Sequence, residues 1–294
     1  MFPEKPFHGR VFVKEFETEE EEGIMKPLFF IDYDNTIFSH RTWTIPEDAL
    51  QTLEGLKKDG FRVILASGRA FRTGELPEEF QGRFIPDGLV SSNGAIIEAE
   101  GKTIWEKYFD PELQRRILDF VVEKGYCLIS GFEGSWCTSN LERFKSLPSN
   151  RNRKIMPEGG ASFQALYHSR RPSFFLADTK EAIEDVQAHF PETRLLYMGD
   201  EMGGADIIPR ENGKDLGASR ILEYFQASWE DTAAIGDSMN DLNLIKRAAF
   251  GIAMGNAMPE VQAAADYVAA DIVKGGLADA VDRVRRWAKE QPWR

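Results

Sequence analysis

The sequence predicts an α/β protein built on a doubly wound parallel sheet, with an α+β domain inserted into it. Three observations carry this. Short apolar runs alternate with helical patterns at both ends of the chain, the middle has a different texture, and acidic residues recur where apolar runs stop. At 294 residues with 42% hydrophobic content, the chain can bury a large core divided between two units of ordinary size.

Residues 1–24 read as an N-terminal extension, because EFETEEEEG at 15–23 is an acidic run without apolar periodicity, and Met25 offers a second start of translation. The core is expected over 25–88 and 207–294. FFIDYD and FRVILAS fit buried parallel strands. PEDALQTLEGLKKDG between them fits a helix, with Pro46 near its start and Gly60 past its end, so the three make a βαβ unit. ADIIPR reads as a strand, KDLGASRILEYFQ as a helix, TAAIGDS as a strand running into a turn, and DLNLIKRAA as a helix. FGIAMGNA is a further strand, followed by a helix through Ala263 and an amphipathic helix near LADAVDRVRRWAKE. The α+β insertion is expected over 89–206. Within it, AIIEAEGKTIWEKYF resembles a hairpin around Glu100-Gly101, and DPELQRRILDFVVEKG a helix capped by Asp110 with Pro111 at its first position. YCLISG, SFQALYH, PSFFLAD and TRLLYMG read as strands and TKEAIEDVQAHF as a helix.

The net charge of -12 argues against a nucleic-acid footprint and against an anionic membrane surface, so any anionic ligand has to be captured by local cations. No apolar run approaches the roughly 20 residues of a membrane span, and the N-terminus lacks the apolar stretch of a secretory signal, which makes the cytoplasm the expected location. Cys127 and Cys137 have no partners that would make a zinc site or a disulfide framework and read as reduced structural thiols.

Asp32 and Asp34, in DYDNT, lie two apart and can share a pocket at the end of their strand, where ligands bind in open parallel sheets. An aspartate turn or helix cap explains a lone pair equally well. Other strand ends add to it. FRVILA finishes in Ser67-Gly68-Arg69, a hydroxyl with nearby N–H groups suited to an anion, and Lys214 opens a helix after ADIIPR. Asp237 and Asp241, in GDSMND, follow the strand TAAI. Two pairs of carboxylates at one sheet edge repel each other, and a divalent cation is the usual remedy; Mg²⁺ suits few carboxylates, retained waters and a phosphate.

DYDNT at 32–36, Ser67, Lys214 and GDSMND at 236–241 together resemble, in order, the four motifs of the haloacid dehalogenase-like phosphatase superfamily. SSNGAII at 91–97, MGNAMPEVQAAADYV at 254–268 and the large insertion look like its Cof-type subgroup, with a Rossmann-like core and a type IIB cap. The resemblance implies that Asp32 attacks phosphorus to form an aspartyl-phosphate that water hydrolyses. An unperturbed aspartate, of pKa about 3.9, is ionised at neutral pH in all but roughly one molecule in a thousand, so no histidine base is needed. Asp34 would serve as general acid and then base, with a pKa raised by its acidic neighbours. Asp32, Asp237 and the Asp34 carbonyl are implied Mg²⁺ ligands, with Asp241 acting through water or from behind. Ser67 and Lys214 would hold the phosphoryl oxygens, and Gly68, Asn93 and Asn240 are further candidate contacts. Asn35 stands where glycine is common, and asparagine tolerates the left-handed backbone such a turn needs. His40 and Trp43 read as packing groups.

The expected activity is therefore Mg²⁺-dependent hydrolysis of small phosphorylated metabolites, sugar phosphates foremost, by a monomer or small homo-oligomer. A phosphomutase-like enzyme, a disaccharide-phosphate phosphatase and a noncatalytic phosphometabolite sensor are the alternatives on the same fold. The insertion would read the rest of the substrate. Its aromatics Trp105, Phe132, Trp136 and Phe163 and its cations Arg143, Lys145, Arg151, Arg153 and Arg170 divide between cap core and substrate contact in a way that sequence leaves open.

Overall fold

The computed structural model describes residues 27–132, 135–148, 163–199 and 203–291. The acidic run, Met25, Arg151 and Arg153 lie outside the described residues. Among those described, the strands form two sheets. The larger has eight strands in the order β13 (Tyr267–Val268), β12 (Phe250–Ala253), β11 (Thr232–Gly236), β1 (Leu28–Asp32), β2 (Arg62–Ala66), β3 (Gly88–Ser91), β4 (Ile96–Ala99), β5 (Lys102–Glu106). Neighbours from β13 to β3 are parallel, and β4 and β5 close that edge antiparallel. β1 lies where the strand order reverses, with Ile31 level with Leu65 of β2 and Ile235 of β11. In such a sheet, the crevice beyond the carboxyl end of that strand is where a ligand fits.

Alternate side chains of β1 enter opposite cores. Phe29 and Ile31 join the cluster under the helix Glu47–Lys58, which contributes Leu50, Leu53 and Leu56. Leu28 and Phe30 join the cluster on the other face, where the helix Lys214–Phe225 contributes Ala218, Ile221 and Leu222. Burial on both faces is why FFI reads as an unbroken apolar run. Each such side chain contributes about 1.5–3 kcal/mol by leaving water, which holds the end of β1 rigidly.

The smaller sheet is antiparallel, in the order β7 (Ser135–Thr138), β6 (Leu128–Phe132), β8 (Phe174–Leu176), β10 (Ala205–Pro209), β9 (Thr193–Tyr197). Its core includes Ile117, Leu118 and Val121 from the helix Pro111–Glu123 and Ile183 and Val186 from Lys180–His189. Asp110 caps the first of these helices as expected, accepting from the N–H groups of Glu112 and Leu113. Cys127 and Cys137 are buried and unbridged in this unit.

Three expectations change. The hairpin β4–β5, assigned to the insertion that was to begin at 89, extends the larger sheet, because Ile97 and Ala99 bury beside Val90 and Ile64. β10 stays in the smaller sheet through Pro209, past the return expected at 207, because Ala205 and Ile207 bury there. SFQALYH forms a 3-10 turn at Phe163–His168: the residues that face the core are Phe163, Leu166 and Tyr167, at helical spacing, and the apparent alternation is incidental.

Candidate active site

β1 ends at Asp32, which is buried, and the chain then turns through Asn35 at φ 55, the left-handed geometry expected of it. Lys214, the first residue of its helix and 1% exposed, donates to Asp32 Oδ1 at 2.5 Å and to Asp241 Oδ1 at 2.6 Å. Asp32, Asp237 and Asp241 each present a carboxylate oxygen within 4.8 Å of the others. Two glycines permit this crowding. A Cβ on Gly236 would come within 2.3 Å of the Asp241 carboxyl carbon, so only glycine lets that side chain fold beneath the end of β11. A Cβ on Gly94, at φ 83, would come within 2.3 Å of the Gly213 carbonyl oxygen, so the SSNGAII loop can press against the turn that launches Lys214.

Asp241 is locked in place: its Oδ2 accepts from the N–H groups of Asp237 and Ser238, both at 3.2 Å. Asp32 Oδ2 is buried with no hydrogen bond. Burial pushes the Asp32 carboxyl up to about 8, with Asp241 and Asp34 adding to the rise and Lys214 opposing it. Burial likewise raises Asp237 well above the ordinary range, reinforced by Asp32 and Asp241. Burial alone would lower Lys214, but Asp241 and Asp32 reverse that and hold it as an ammonium ion. The expectation that Asp32 behaves as a free aspartate is thus corrected: one lysine does not balance three buried carboxylates. An orphaned oxygen and surplus negative charge are what a divalent cation with oxygen ligands fits.

Asp34 departs more sharply from expectation. Burial raises its carboxyl, but hydrogen bonds from His40 and Arg69 outweigh that, and the net shift is downward. Arg69 Nη2 donates to Asp34 Oδ1 at 2.6 Å and Arg69 Nε to Oδ2 at 3.0 Å, while His40 Nε2 lies 2.6 Å from Oδ1. These two basic neighbours, and not the acidic ones, decide the sign of the shift. His40 thus does more than the packing expected of it, while Trp43 packs as expected, stacked on the His40 ring with centroids 5.6 Å apart.

Ser67 is buried at the turn after β2, where its Oγ accepts from Arg69 N–H at 3.0 Å and its carbonyl from Asn93 N–H at 3.0 Å. Asn93 Oδ1 accepts from Asn240 Nδ2 at 2.9 Å, and a Cβ on Gly68 would lie 3.5 Å from Asn93 Nδ2. All nine residues singled out in the sequence therefore occupy one region, in two linked groups. Lys214 bonds Asp32 and Asp241, with the Asp237 carboxylate close to both; Asn93 gathers Ser67, Gly68 and Asn240. Asp34 joins through Arg69.

One residue was missed altogether. Asp206, on β10 of the smaller sheet, accepts from Asn93 Nδ2 at 2.8 Å. Its one sequence signal is an acidic residue inside an otherwise apolar strand. Among the insertion's cations, Arg143 pairs with Asp178 at 2.8 Å and Arg170 lies over the Tyr108 ring, which are contacts inside the fold. Lys145 lies 3.9 Å from Glu142. Trp105 belongs to β5 of the larger sheet, Phe163 packs in the smaller sheet's core, and Trp136 is 40% exposed.

Comparison with known proteins agrees with this geometry. The model of the haloacid dehalogenase-like hydrolases matches residues 29–281. Phosphoglycolate phosphatase 1 of Saccharolobus solfataricus is 27% identical over 261 residues, covering 88% of this chain and 96% of that protein. Phosphatase YwpJ of Bacillus subtilis is 25% identical over 286 residues, covering 85% and 97%. Among solved structures, the subclass IIB sugar phosphatase BT4131 superposes with a TM-score of 0.73 at 27% identity, over 89% of this chain and 99% of that one. With its motifs gathered at the end of β1 and the family match spanning most of its length, the chain belongs to the haloacid dehalogenase-like hydrolases, of the Cof type.

Proposed function

We propose that this protein is a Mg²⁺-dependent phosphatase that hydrolyses small phosphorylated metabolites, sugar phosphates foremost, through an aspartyl-phosphate on Asp32. The observation that carries the reading is the buried ammonium of Lys214 spanning Asp32 and Asp241 inside a cluster of three carboxylates. A structural salt bridge needs one carboxylate per lysine; the extra charges make sense where a cation and a phosphoryl group are bound. The similarity to named phosphatases, one of them a sugar phosphatase, supports the same reading.

Asp32 attacks phosphorus, the bond from phosphorus to the leaving oxygen breaks, and Asp34 protonates that oxygen. Water then attacks phosphorus, gives its proton to Asp34, and releases Asp32 and inorganic phosphate. Asp34 is held ionised in the free site, so its work as an acid requires Arg69 to let go of it as the phosphoryl group arrives; the Arg69 side chain, 42% exposed, has room to move. Lys214 and Ser67, with Gly68, Asn93 and Asn240 behind them, hold the transferring oxygens. Asp32, Asp237 and the Asp34 carbonyl would hold Mg²⁺, with Asp241 behind them. The ion supplies the positive charge that the site otherwise lacks. The unit around the smaller sheet acts as the cap that reads the leaving group, in a cytoplasmic protein with no nucleic-acid or membrane partner. Among the described residues, no helix is long and apolar enough to cross a membrane.

Release of phosphate from an aryl phosphate, with Mg²⁺ and with EDTA, tests this beside Asp32→Asn. The expected result is turnover by the unmodified chain in Mg²⁺ alone and none by the variant. Equal turnover in EDTA, or an active variant, contradicts it.

A further inference from the structure

Asp206 belongs by backbone to one sheet and by side chain to the other. β10 pairs with β8 and β9 in the smaller sheet, yet the Asp206 carboxylate reaches Asn93, on the loop between β3 and β4 of the larger one. From Asn93 the contacts continue to Asn240, whose Oδ1 accepts from Ser238 Oγ at 2.7 Å, inside the GDSMND turn. The carboxylate therefore stands beside the Ser67-Gly68 turn and the Asp237 turn, on the side from which the smaller sheet approaches.

Two features mark it as more than a strut. Only one of its oxygens is engaged: Oδ2 accepts from Asn93, and among the described residues Oδ1 takes no hydrogen bond. The side chain is partly exposed, yet burial is the strongest influence on it and pushes it up to about 6, against Asn93 and Lys214 and with Asp34. Its partner Asn93 also accepts from Asn240 and lies beside Gly68, so the partly exposed carboxylate stands at the edge of the candidate phosphoryl site.

Chemistry limits what such an oxygen can receive. A carboxylate accepts hydrogen bonds and donates none when ionised, so it repels phosphoryl oxygens and any carboxylate on the substrate. What it fits is a hydroxyl on the leaving group. We propose that Asp206 is a specificity-determining residue: its free oxygen accepts a hydrogen bond from a leaving-group hydroxyl, so that the site favours polyhydroxylated phosphate monoesters over esters with no such hydroxyl. This rests on the phosphatase reading and names the part of the substrate that the smaller sheet recognises.

The test is the ratio of kcat/KM for a hexose 6-phosphate to kcat/KM for p-nitrophenyl phosphate, whose leaving group carries no hydroxyl beyond the ester oxygen. It is measured with Mg²⁺ in the unmodified full chain, in Asp206→Asn and in Asp206→Ala. A hydrogen bond to a charged acceptor is worth about 1.5–3 kcal/mol, so the ratio falls about 10- to 100-fold in Asp206→Ala and by a smaller factor in Asp206→Asn. Asparagine keeps the size of the side chain and still accepts from Asn93, so this variant decides the matter if alanine fails to fold. An unchanged ratio in Asp206→Asn, with both substrates slowed alike or neither slowed, means that Asp206 only positions Asn93 and overturns the proposal. An unmodified chain inactive on both esters removes the phosphatase reading and this proposal with it.

Discussion

Lys214→Met removes the one charge that holds the carboxylate cluster together and keeps the reach of the side chain. At contacts of 2.5 and 2.6 Å, each pairing supplies about 6 kcal/mol of attraction at an effective dielectric of about 20. Desolvation of the ions, several kcal/mol each, offsets most of this. Removing one member of a buried pair then costs about 3–5 kcal/mol, a large fraction of the 5–15 kcal/mol typical of a folded domain. Asp32 and Asp237, whose folded pKa values are already raised, relieve the loss of the ammonium by binding protons. Those values rise further, so the destabilisation is least in mild acid and grows as pH rises through them. Urea unfolding followed by tryptophan fluorescence, at pH 5.5 and pH 8, with EDTA and with Mg²⁺, reads all of this. Mg²⁺ at 100 times its Kd returns about 2.7 kcal/mol. A loss below about 1 kcal/mol in EDTA at pH 8, or one independent of pH, refutes the view that Asp32 and Asp241 are buried charges balanced by this lysine.

Other outcomes follow from single contacts. Asp237→Asn relieves the crowding that raises its carboxyl, so in EDTA the variant melts at or above the temperature of the unmodified chain, while calorimetry finds Mg²⁺ affinity at least about 10-fold weaker. Glu98 is buried and its pKa lowered: burial works against the charge, but Thr73 N–H at 2.8 Å, Thr73 Oγ at 2.7 Å and Arg72 at 3.1 Å outweigh it. A lowered carboxyl stabilises above its unfolded pKa of about 4.3, so Glu98→Gln costs about 1–3 kcal/mol at pH 7, and variant and parent converge in stability as pH falls below about 4. Gly94→Ala forces a side chain onto backbone at φ 83 and against Gly213, costing about 1–3 kcal/mol and slowing turnover by shifting Lys214; unfolding curves and kcat measured together check both.

Much of the architecture was legible because burial on both faces leaves unbroken apolar runs, and the residues that end them are where the fold opens to solvent. FFI followed by Asp32, and TAAI followed after one glycine by Asp237, mark two carboxylate pairs at one sheet edge in the sequence itself. Helix Pro111–Glu123 was marked by its own cap. What stayed hidden depends on contacts distant in sequence. The hairpin after Asn93 was read correctly as a hairpin, but which sheet it extends is decided by Ile221 and Leu222, more than a hundred residues further on. Asp34 was assigned a raised pKa from its neighbours in sequence, and two basic side chains folded onto it reverse the sign. Arg69 directly follows Ser67-Gly68, and His40 lies only six residues from Asp34, yet a histidine in a loop gives no spacing signal. Asp206 showed as an acidic residue in an apolar strand, and only the meeting of two sheets gives that a meaning.

The claim on which the rest depends is that Asp32 takes the phosphoryl group onto its own carboxylate. Acid quenching during turnover with Mg²⁺, followed by peptide mapping by mass spectrometry, tests it directly. The account predicts a phosphorylated peptide containing Asp32 that disappears as substrate is exhausted and never forms in Asp32→Asn. Steady turnover with phosphate trapped on a different residue, or with a variant at Asp32 that still accumulates the modified peptide, contradicts it.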